Sequence, residues 1–544
     1  MKKLPIGIST FSEIIKNDYI YVDKTQNIYE MINRGKTYFL SRPRRFGKSL
    51  LVSTLEELFE GNKDLFEGLY IYDKWEWEEK YPVIHLDFTN FNFDTPERLE
   101  LSINTILEDI AEENNLKLVD NDLYSYRFTT LIKKIYEKTK QKVVVLIDEY
   151  DKPITDHISE KETLKANQLI LRSFYNVLKG SDKYIKFIFI TGVSKFANMS
   201  IFSSLNNLDD ITLNRNFACI CGYTHQELKN NFKSYLIDLK EELSLSCEET
   251  TQKINYWYDG YSWDGKNYVY NPFSTLKLFS SKEFSDYWFD TATPEFLINV
   301  LKTSNDYKEV LKPIIVKQSR FKTFDYNNID PISIFFQTGY LTIVEKMIIN
   351  DIIHYKLEFP NFEVESSLLD HLIDLNLSEE KIQLRKERII FYIENEDNEN
   401  FQKEMKAFLS GIPNRIHIEQ EYYYQSIFLA WLNALGFVAE GETPTNIGFT
   451  DIVLKEEDFV VISEFKFSKI NPDTDLPIKS YEIMLKKAME QIKTRKYYEK
   501  YIDKKIIAIA IAFAGKQLQT QIERIENSLT WKAKAFQIEK IKDL

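Results

Sequence analysis

The chain has 544 residues, of which 44% are hydrophobic and 28% charged, with a net charge of −13. That length is too great for one core and predicts two or three domains of ordinary globular composition. The acidic balance argues against non-specific binding to nucleic acid, three cysteines argue against a disulfide framework, and no apolar run reaches membrane-spanning length.

Met1-Lys2-Lys3-Leu4-Pro5 leads straight into polar sequence, so neither a signal peptide nor a membrane partner is expected, and the expected location is the cytoplasm. Cys219-Ile220-Cys221 has no neighbours to complete a four-ligand zinc site, which leaves reduced thiols. The charge is unevenly spread. Residues 401–544 hold 21 Lys+Arg against 20 Asp+Glu, a net of +1, which leaves −14 for the first 400.

In chain order, the first informative stretch is Tyr38-Phe39-Leu40 followed by Ser41-Arg42-Pro43-Arg44-Arg45-Phe46-Gly47-Lys48-Ser49. It reads as a strand, a turn and the first turn of a helix that runs to Phe59. A phosphate-binding loop has that form. Gly47 lets backbone approach an anion, the free N–H groups of the new helix point at phosphate oxygens, Lys48 reaches the β/γ-phosphates, and the Ser49 hydroxyl can ligate Mg²⁺. A full pattern has glycine where Arg42 stands. Gly-Lys-Ser alone is common by chance, and the flanking strand and helix give it weight.

Arg-Pro-Arg-Arg-Phe-Gly-Lys-Ser-Leu, with Tyr21-Val22-Asp23-Lys24-Thr25 upstream, resembles the AAA-like ATPases of bacteria and archaea that are fused to a C-terminal PD-(D/E)XK-type nuclease domain. The resemblance runs through most of the chain. It implies ATP and Mg²⁺ as cofactors and nucleic acid as partner, DNA ahead of RNA, with oligomerisation left open.

Beyond the loop, strand-like runs alternate with helix-length segments: Pro82 to Phe88, a helix opened by Pro96 and running to about Asn114, a second near Phe128 to Lys138, Val143 to Ile147, a helix from about Glu162 to Leu178, and Phe187 to Thr191. This alternation predicts an α/β fold with a parallel sheet, helices on both faces and ligand sites at the carboxyl ends of the strands. Val143 to Ile147 ends in Asp148-Glu149, the Walker B pattern. There Asp148 serves the metal and Glu149 is placed to polarise the attacking water. The Val83 to Phe88 strand is expected between the Walker A and Walker B strands. Thr191 stands in the place of a sensor residue, or is an ordinary strand-end threonine before Gly192. Lys195 and Arg215 are open alternatives as charge stabilisers. The nucleotide-binding candidates are therefore Arg42, Arg44, Arg45, Gly47, Lys48, Ser49, Asp148 and Thr191, with Glu149 catalytic and Ser49 and Asp148 metal-binding.

From about His225 to Ile393 the texture changes to short amphipathic helices with aromatic turns: Trp257 to Trp263, Tyr270 to Ser274 and Phe336 to Leu341. These resemble stations of the same family. With no cationic cluster beside them, packing of a lid onto the ATPase is favoured over stacking on bases. Glu394 to Asn400 is an acidic run near the last boundary. The expected division is 1–224 ATPase, 225–400 mostly helical connector or lid, and 401–544 nuclease-like.

The C-terminal part reads as a helix from Glu419 to Leu435, a strand at Phe437 to Ala439, another at Phe449 to Leu454, and Phe459 to Phe467. Period-2 geometry puts Glu464 and Lys466 on one face and Phe465 and Phe467 on the other. Asp451 and Glu464 on adjacent strands, with the Phe465 carbonyl, would supply oxygens to a hard cation such as Mg²⁺. Lys466 would orient the water attacking a phosphodiester. The helix–strand–strand–strand–helix order is that of the restriction-endonuclease-like PD-(D/E)XK core. In Ala488-Met489-Glu490-Gln491 the resemblance makes Gln491 the glutamine facing the site. Asp451, Glu464, Lys466 and Gln491 are thus the catalytic candidates, and Glu421, Asp451 and Glu464 the metal candidates. Related chains tend to carry Gly-Arg-x-Asp where this one has Gly448-Phe449-Thr450-Asp451. Lys486 to Lys505 holds 8 cations against three acids, a net of +5, which could meet a phosphate backbone or simply form a solvated helix face.

Overall fold

The computed structural model describes residues 2–118, 123–158, 160–195, 207–288, 314–321, 330–368, 379–411, 421–445, 448–456, 458–471, 477–501, 504–514 and 517–525. The chain divides into two compact units, Met1–Glu365 and Ser366–Leu544.

The first unit is built on five parallel strands, β1 (Thr37–Ser41), β2 (Val83–Asp87), β3 (Val143–Asp148), β4 (Ile185–Gly192) and β5 (Asp209–Asp210), in the order β2-β3-β4-β1-β5. Every residue of β3 is buried, as an unbroken Val/Ile/Leu run requires of a parallel strand covered on both faces. Early helices are α1 (Phe11–Lys16), α2 (Thr25–Arg34) and α3 (Lys48–Phe59), and the crossovers are α4 (Pro96–Glu113), α5 (Tyr124–Thr139) and α6 (Lys161–Gly180). In α4, Leu99, Ile103, Leu107 and Ile110 recur at helical spacing and are buried. Thr95 caps its first turn by accepting from the Arg98 N–H, and Pro96 occupies a position where no amide donor is needed.

One sequence expectation is corrected. β2 lies at the sheet edge, and the strand between β1 and β3 is β4, whose Ile188 to Gly192 pair with Thr37 to Ser41. The apolar run Phe187 to Ile190 of β4, with every residue of the strand but Lys186 buried, suits the doubly covered central position better than β2, whose alternate residues are only half-buried.

The same unit continues through α7 (His225–Asn231), α8 (Lys233–Leu243), α9 (Cys247–Tyr258) and α10 (Pro272–Ser281). Capping boxes at Thr224/Glu227 and Ser246/Glu249 start α7 and α9. The region is not wholly helical. Beside α11 (Pro331–Thr338) lies an antiparallel sheet of β6 (Ile314–Lys317), β7 (Thr342–Ile349) and β8 (Ile352–Glu358). Asn350 and Asp351, at φ 50° and 59°, turn β7 into β8 as the left-handed pair a two-residue hairpin needs.

In the second unit the helices α12 (Glu379–Glu394), α13 (Asn398–Gly411), α14 (Glu421–Ala434) and α15 (Tyr481–Arg495) accompany five strands. These are β9 (Val438–Thr445), β10 (Gly448–Lys455), β11 (Phe459–Phe467), β12 (Lys505–Ala514) and β13 (Gln517–Ile525), in the order β13-β12-β11-β10-β9. Period-2 alternation sorts the two faces. Phe465, Ile507, Ile509, Ile511 and Phe513 pack with Tyr424, Phe428 and Trp431 of α14. Val460, Ile462, Ala508, Ala510 and Ala512 pack with Met484, Ala488 and Ile492 of α15. The alanines of β12 let α15 lie close to the sheet. β11 and β12 pair in parallel, with α15 as their crossover.

Candidate functional sites

β1 ends at Ser41, and the loop to α3 passes through two left-handed residues, Arg45 (φ 69°) and Gly47 (φ 91°). Nothing lies within 4 Å of a Cβ built on Gly47, so glycine serves the backbone angle there and open space faces it. Lys48, the first residue of α3, is 3% exposed and runs back under the loop. Its Nζ donates to the Pro43 carbonyl at 3.2 Å and lies 3.4 Å from Glu149 Oε1. Ser49 hydrogen-bonds the Asp148 carboxylate. Burial, then repulsion from Glu149, push the Asp148 carboxyl up to about 6, against the pull of Ser49 and Lys48. Glu149 itself sits at φ 50°, held just past the strand end. Gly47, Lys48, Ser49, Asp148 and Glu149 therefore converge at the carboxyl end of β1 and β3.

The other four candidates make contacts of a different kind. Arg42 is fully buried, with its guanidinium 3.9 Å above the Trp263 ring and donating to the carbonyls of Ser41 (2.8 Å), Thr212 (3.0 Å) and Phe217 (3.2 Å). Burial pulls its pKa down to about 10. It stabilises the back of the loop in place of the glycine of the full pattern. Arg45 lies over the Phe273 ring at 4.9 Å, and the Arg44 carbonyl accepts the Trp288 indole N–H at 3.1 Å. Thr191 is fully buried, its hydroxyl donating to the Leu40 carbonyl at 2.8 Å, so it ties β4 to β1 rather than facing the loop's open side.

Lys195 Nζ pairs with Asp210 at 2.6 Å, and Arg215 is exposed on a short turn. The family-like stretch from Phe196 to Asn206 lies outside the described residues.

Sequence reasoning missed Asp151. Its carboxylate accepts from the Val193 N–H at 3.1 Å and the Ser194 N–H at 2.6 Å, fixing the chain after β4 to the Walker B turn. Gly192 is required there, because a Cβ would run into that carboxylate. A third acid in Asp148-Glu149-Tyr150-Asp151 was the available signal.

In the second unit the expected alternation along β11 holds. Phe465 is buried in the α14-side core, while Glu464 and Lys466 face the α15 side. Glu464 is 1% exposed; Gln491 of α15 donates to its Oε1, and its Oε2 has no hydrogen-bond partner among the described residues. Lys466 Nζ donates to the Phe465 carbonyl (2.6 Å), Glu464 Oε1 (3.2 Å) and Glu421 Oε1 (3.5 Å). Glu421, the first residue of α14, also accepts from the Phe467 N–H at 3.1 Å. Asp451 on the neighbouring strand accepts from the Phe465 N–H at 2.7 Å. Burial and then Asp451 push the Glu464 carboxyl up to about 8, against the pull of Lys466. Burial disfavours the Lys466 ammonium, yet Glu421, Glu464 and Asp451 together outweigh it and raise its pKa.

All five candidates of this unit thus meet around β11. Sequence reasoning missed Tyr497, buried, whose hydroxyl accepts from Gln491 at 3.3 Å and Arg495 at 2.9 Å. No local pattern marked it. The Phe449 side chain and Glu419 lie outside the described residues.

Among the described residues no three His, Cys, Asp or Glu side chains form a ready-made metal cage. The donor set that fits a hard cation is smaller: the Glu464 and Asp451 carboxylates and the Phe465 carbonyl, with the unpartnered Glu464 Oε2 as the oxygen in want of a positive partner. The Lys466 ammonium now neutralises that corner.

Residues 5–202 match the family model described as predicted AAA-ATPase, and residues 419–523 match that of the PD-(D/E)XK nuclease superfamily. A protein of Azotobacter chroococcum mcd 1, described as an uncharacterized protein in the vnfD 5′ region, is 35% identical over 507 residues, covering 92% of this chain and 94% of its own. Among solved structures, Cdc6p of Pyrobaculum aerophilum matches at 10% identity and TM-score 0.22, over 64% of this chain and 92% of its own. The Aeropyrum pernix ORC2 protein matches at 11% and 0.25, over 66% and 96%. No helix among the described residues is long and apolar enough to cross a membrane. With the full-length relative and the two domain matches in agreement with the phosphate loop and the β11 cluster, the chain belongs to the family of AAA-like ATPases that carry a C-terminal PD-(D/E)XK nuclease superfamily domain.

Proposed function

We propose that the protein binds and hydrolyses ATP at the Lys48 loop, and that nucleotide state gates Mg²⁺-dependent phosphodiester cleavage of nucleic acid, DNA ahead of RNA, at Asp451, Glu464 and Lys466. The observation that carries the nuclease half is the hydrogen-bonded group of Glu464, Lys466, Glu421 and Gln491 with one buried carboxylate oxygen left over. At the first site, an arriving γ-phosphate draws Lys48 from Glu149, which frees that carboxylate to orient and polarise the attacking water. Ser49 and Asp148 would hold the accompanying Mg²⁺.

At the second site, Asp451, Glu464 and the Phe465 carbonyl would hold Mg²⁺, which when bound supplies charge neutralisation at a phosphodiester and a more acidic water. Lys466, which donates to the Phe465 carbonyl and is kept close by Glu421, would orient the attacking water. Gln491 fixes the Glu464 carboxylate against rotation.

Nicking of plasmid and of labelled single strands, with and without ATP and with Mg²⁺ or Mn²⁺ titrated, tests this. Asp451→Ala should lose metal binding and cleavage together. Lys466→Ala should keep metal binding and lose cleavage. Failure of the wild type to bind metal sinks the site. A second reading, a nucleotide-switched binding protein on an inert nuclease fold, is supported by Lys466, whose ammonium already neutralises the carboxylates. Metal binding without cleavage by the wild type would favour it.

A further inference from the structure

The phosphate loop of this protein is poor in glycine, and its shape comes from elsewhere. Between Ser41 and Gly47 every residue makes a specific contact with the aromatic region that follows the ATPase sheet. The Arg42 guanidinium stacks at 3.9 Å on Trp263. Pro43 packs on Gly339, where an added Cβ would come within 2.8 Å of the proline ring. The Arg44 carbonyl takes the Trp288 indole N–H at 3.1 Å. Arg45 covers Phe273 at 4.9 Å, and Phe46, 1% exposed, meets Tyr261 and Trp263 edge-on at 4.7 and 5.5 Å.

Trp263 and Trp288 are themselves buried. Trp288 is anchored further by its own N–H, which donates to the fully buried Glu363 at 2.7 Å. Left to itself, the loop would not hold this form. Arg45 carries the steric cost of a left-handed angle, and Arg42 would lose its reason to be buried without a ring and carbonyls to receive it.

We infer that Trp263 and Trp288 are positioning residues for ATP binding, acting through the backbone of Arg42–Phe46 rather than by touching the nucleotide. A loop that is competent only part of the time binds with an affinity reduced by that fraction, so removing the wall weakens ATP binding without removing any phosphate contact. By linkage, bound ATP tightens the wall in return. The inference rests on the proposal that ATP binds at Lys48.

The test is ATP titration by calorimetry on the full chain, with steady-state hydrolysis and tryptophan fluorescence alongside. Trp288→Phe keeps the ring and removes the donor to Arg44. It should weaken ATP binding by about three- to tenfold, the range of one lost hydrogen bond, while kcat at saturating ATP stays near wild type. Trp263→Leu should weaken binding at least as much, and Trp263→Phe, which keeps a π face for Arg42, should recover most of it. Trp257→Phe is the control. Its ring partners are Tyr258, Phe284 and Phe362, not the loop, and its ATP affinity should equal that of wild type. ATP should also shift the tryptophan emission of the wild type and leave that of Lys48→Ala unchanged.

If wild type binds ATP and Trp288→Phe and Trp263→Leu bind it equally well while remaining folded by circular dichroism, the inference is overturned. The same holds if both variants lose kcat with KM unchanged. If wild type and Lys48→Ala bind ATP alike, or neither binds, the underlying assignment of the loop fails and the inference falls with it.

Discussion

At the scale of single residues, each candidate site sets a lysine against a carboxylate. Lys48 rests 3.4 Å from Glu149, and Lys466 rests 3.2 Å from Glu464. Lys48→Ala should abolish MgATP binding, whereas Glu149→Gln should bind ATP and slow hydrolysis by about a hundredfold or more, the weight of a lost general base. Calorimetry and phosphate release separate the two. Glu464 adds a pH signature. An unfolded glutamate ionises near about 4.3, whereas folded Glu464 keeps its proton up to about 8. The folded state therefore binds the extra proton between those values. Its contribution to stability is complete below the unfolded pKa and is lost as pH rises through the folded one. Glu464→Gln stays neutral throughout, so its melting temperature should fall less than that of wild type from about pH 5 to about pH 9. Mg²⁺ should restore wild-type stability at the alkaline end and leave the variant unmoved. Parallel melting curves would show that Glu464 ionises as freely in the fold as out of it.

At the scale of elements, the period of the side chains decides what reaches each site. β12 alternates large and small residues, with Ile507, Ile509, Ile511 and Phe513 on one face and Ala508, Ala510 and Ala512 on the other. Ala510 is the register partner of Glu464, and the small face is what lets α15 bring Gln491 to that carboxylate. Ala510→Leu should overpack this layer, cost about 1–3 kcal/mol, and lower the melting temperature by about 2–4 °C per kcal/mol. It should also weaken metal binding, because Gln491 is carried outward with the helix. Unchanged metal affinity in a destabilised variant would separate packing from the site.

This period was legible in the sequence. The placement of Glu464 and Lys466 on one face of β11 follows from alternation alone, and Glu421 from a helix starting just upstream. Arg42 was not legible. Its carbonyl partners Thr212 and Phe217 lie 170 and 175 residues away, and no local pattern encodes such a destination. The position of β2 was misjudged for a related reason. Sequence order puts it between the Walker strands, but burial on both faces, which β4 has and β2 lacks, decides the centre of a parallel sheet.

At the scale of the whole molecule, the question is whether two compact units, Met1–Glu365 and Ser366–Leu544, act as one machine. Both units are net acidic, −9 over Met1–Glu365 and −4 over Ser366–Leu544, so attraction of a polyanion has to be local, at Lys486 to Lys505 with its net of +5. Nucleic acid bound beside α15 can raise ATP turnover only if binding there changes the population of a state in which Lys48 and Glu149 part. A ligand with equal affinity for both states would shift nothing. Coupling is reciprocal for binding, so ATP should in turn alter affinity for nucleic acid by the same factor. Duplex DNA should therefore stimulate hydrolysis more than RNA does, and the effect should shrink with added salt as phosphate contacts are screened. Asp451→Ala, which leaves the basic helix in place, should keep the stimulation while losing cleavage; Lys48→Ala should lose the ATP dependence of cleavage. If turnover is the same with single strands, duplex and RNA, and cleavage is the same with and without ATP, the two units work independently and the gating proposal is wrong.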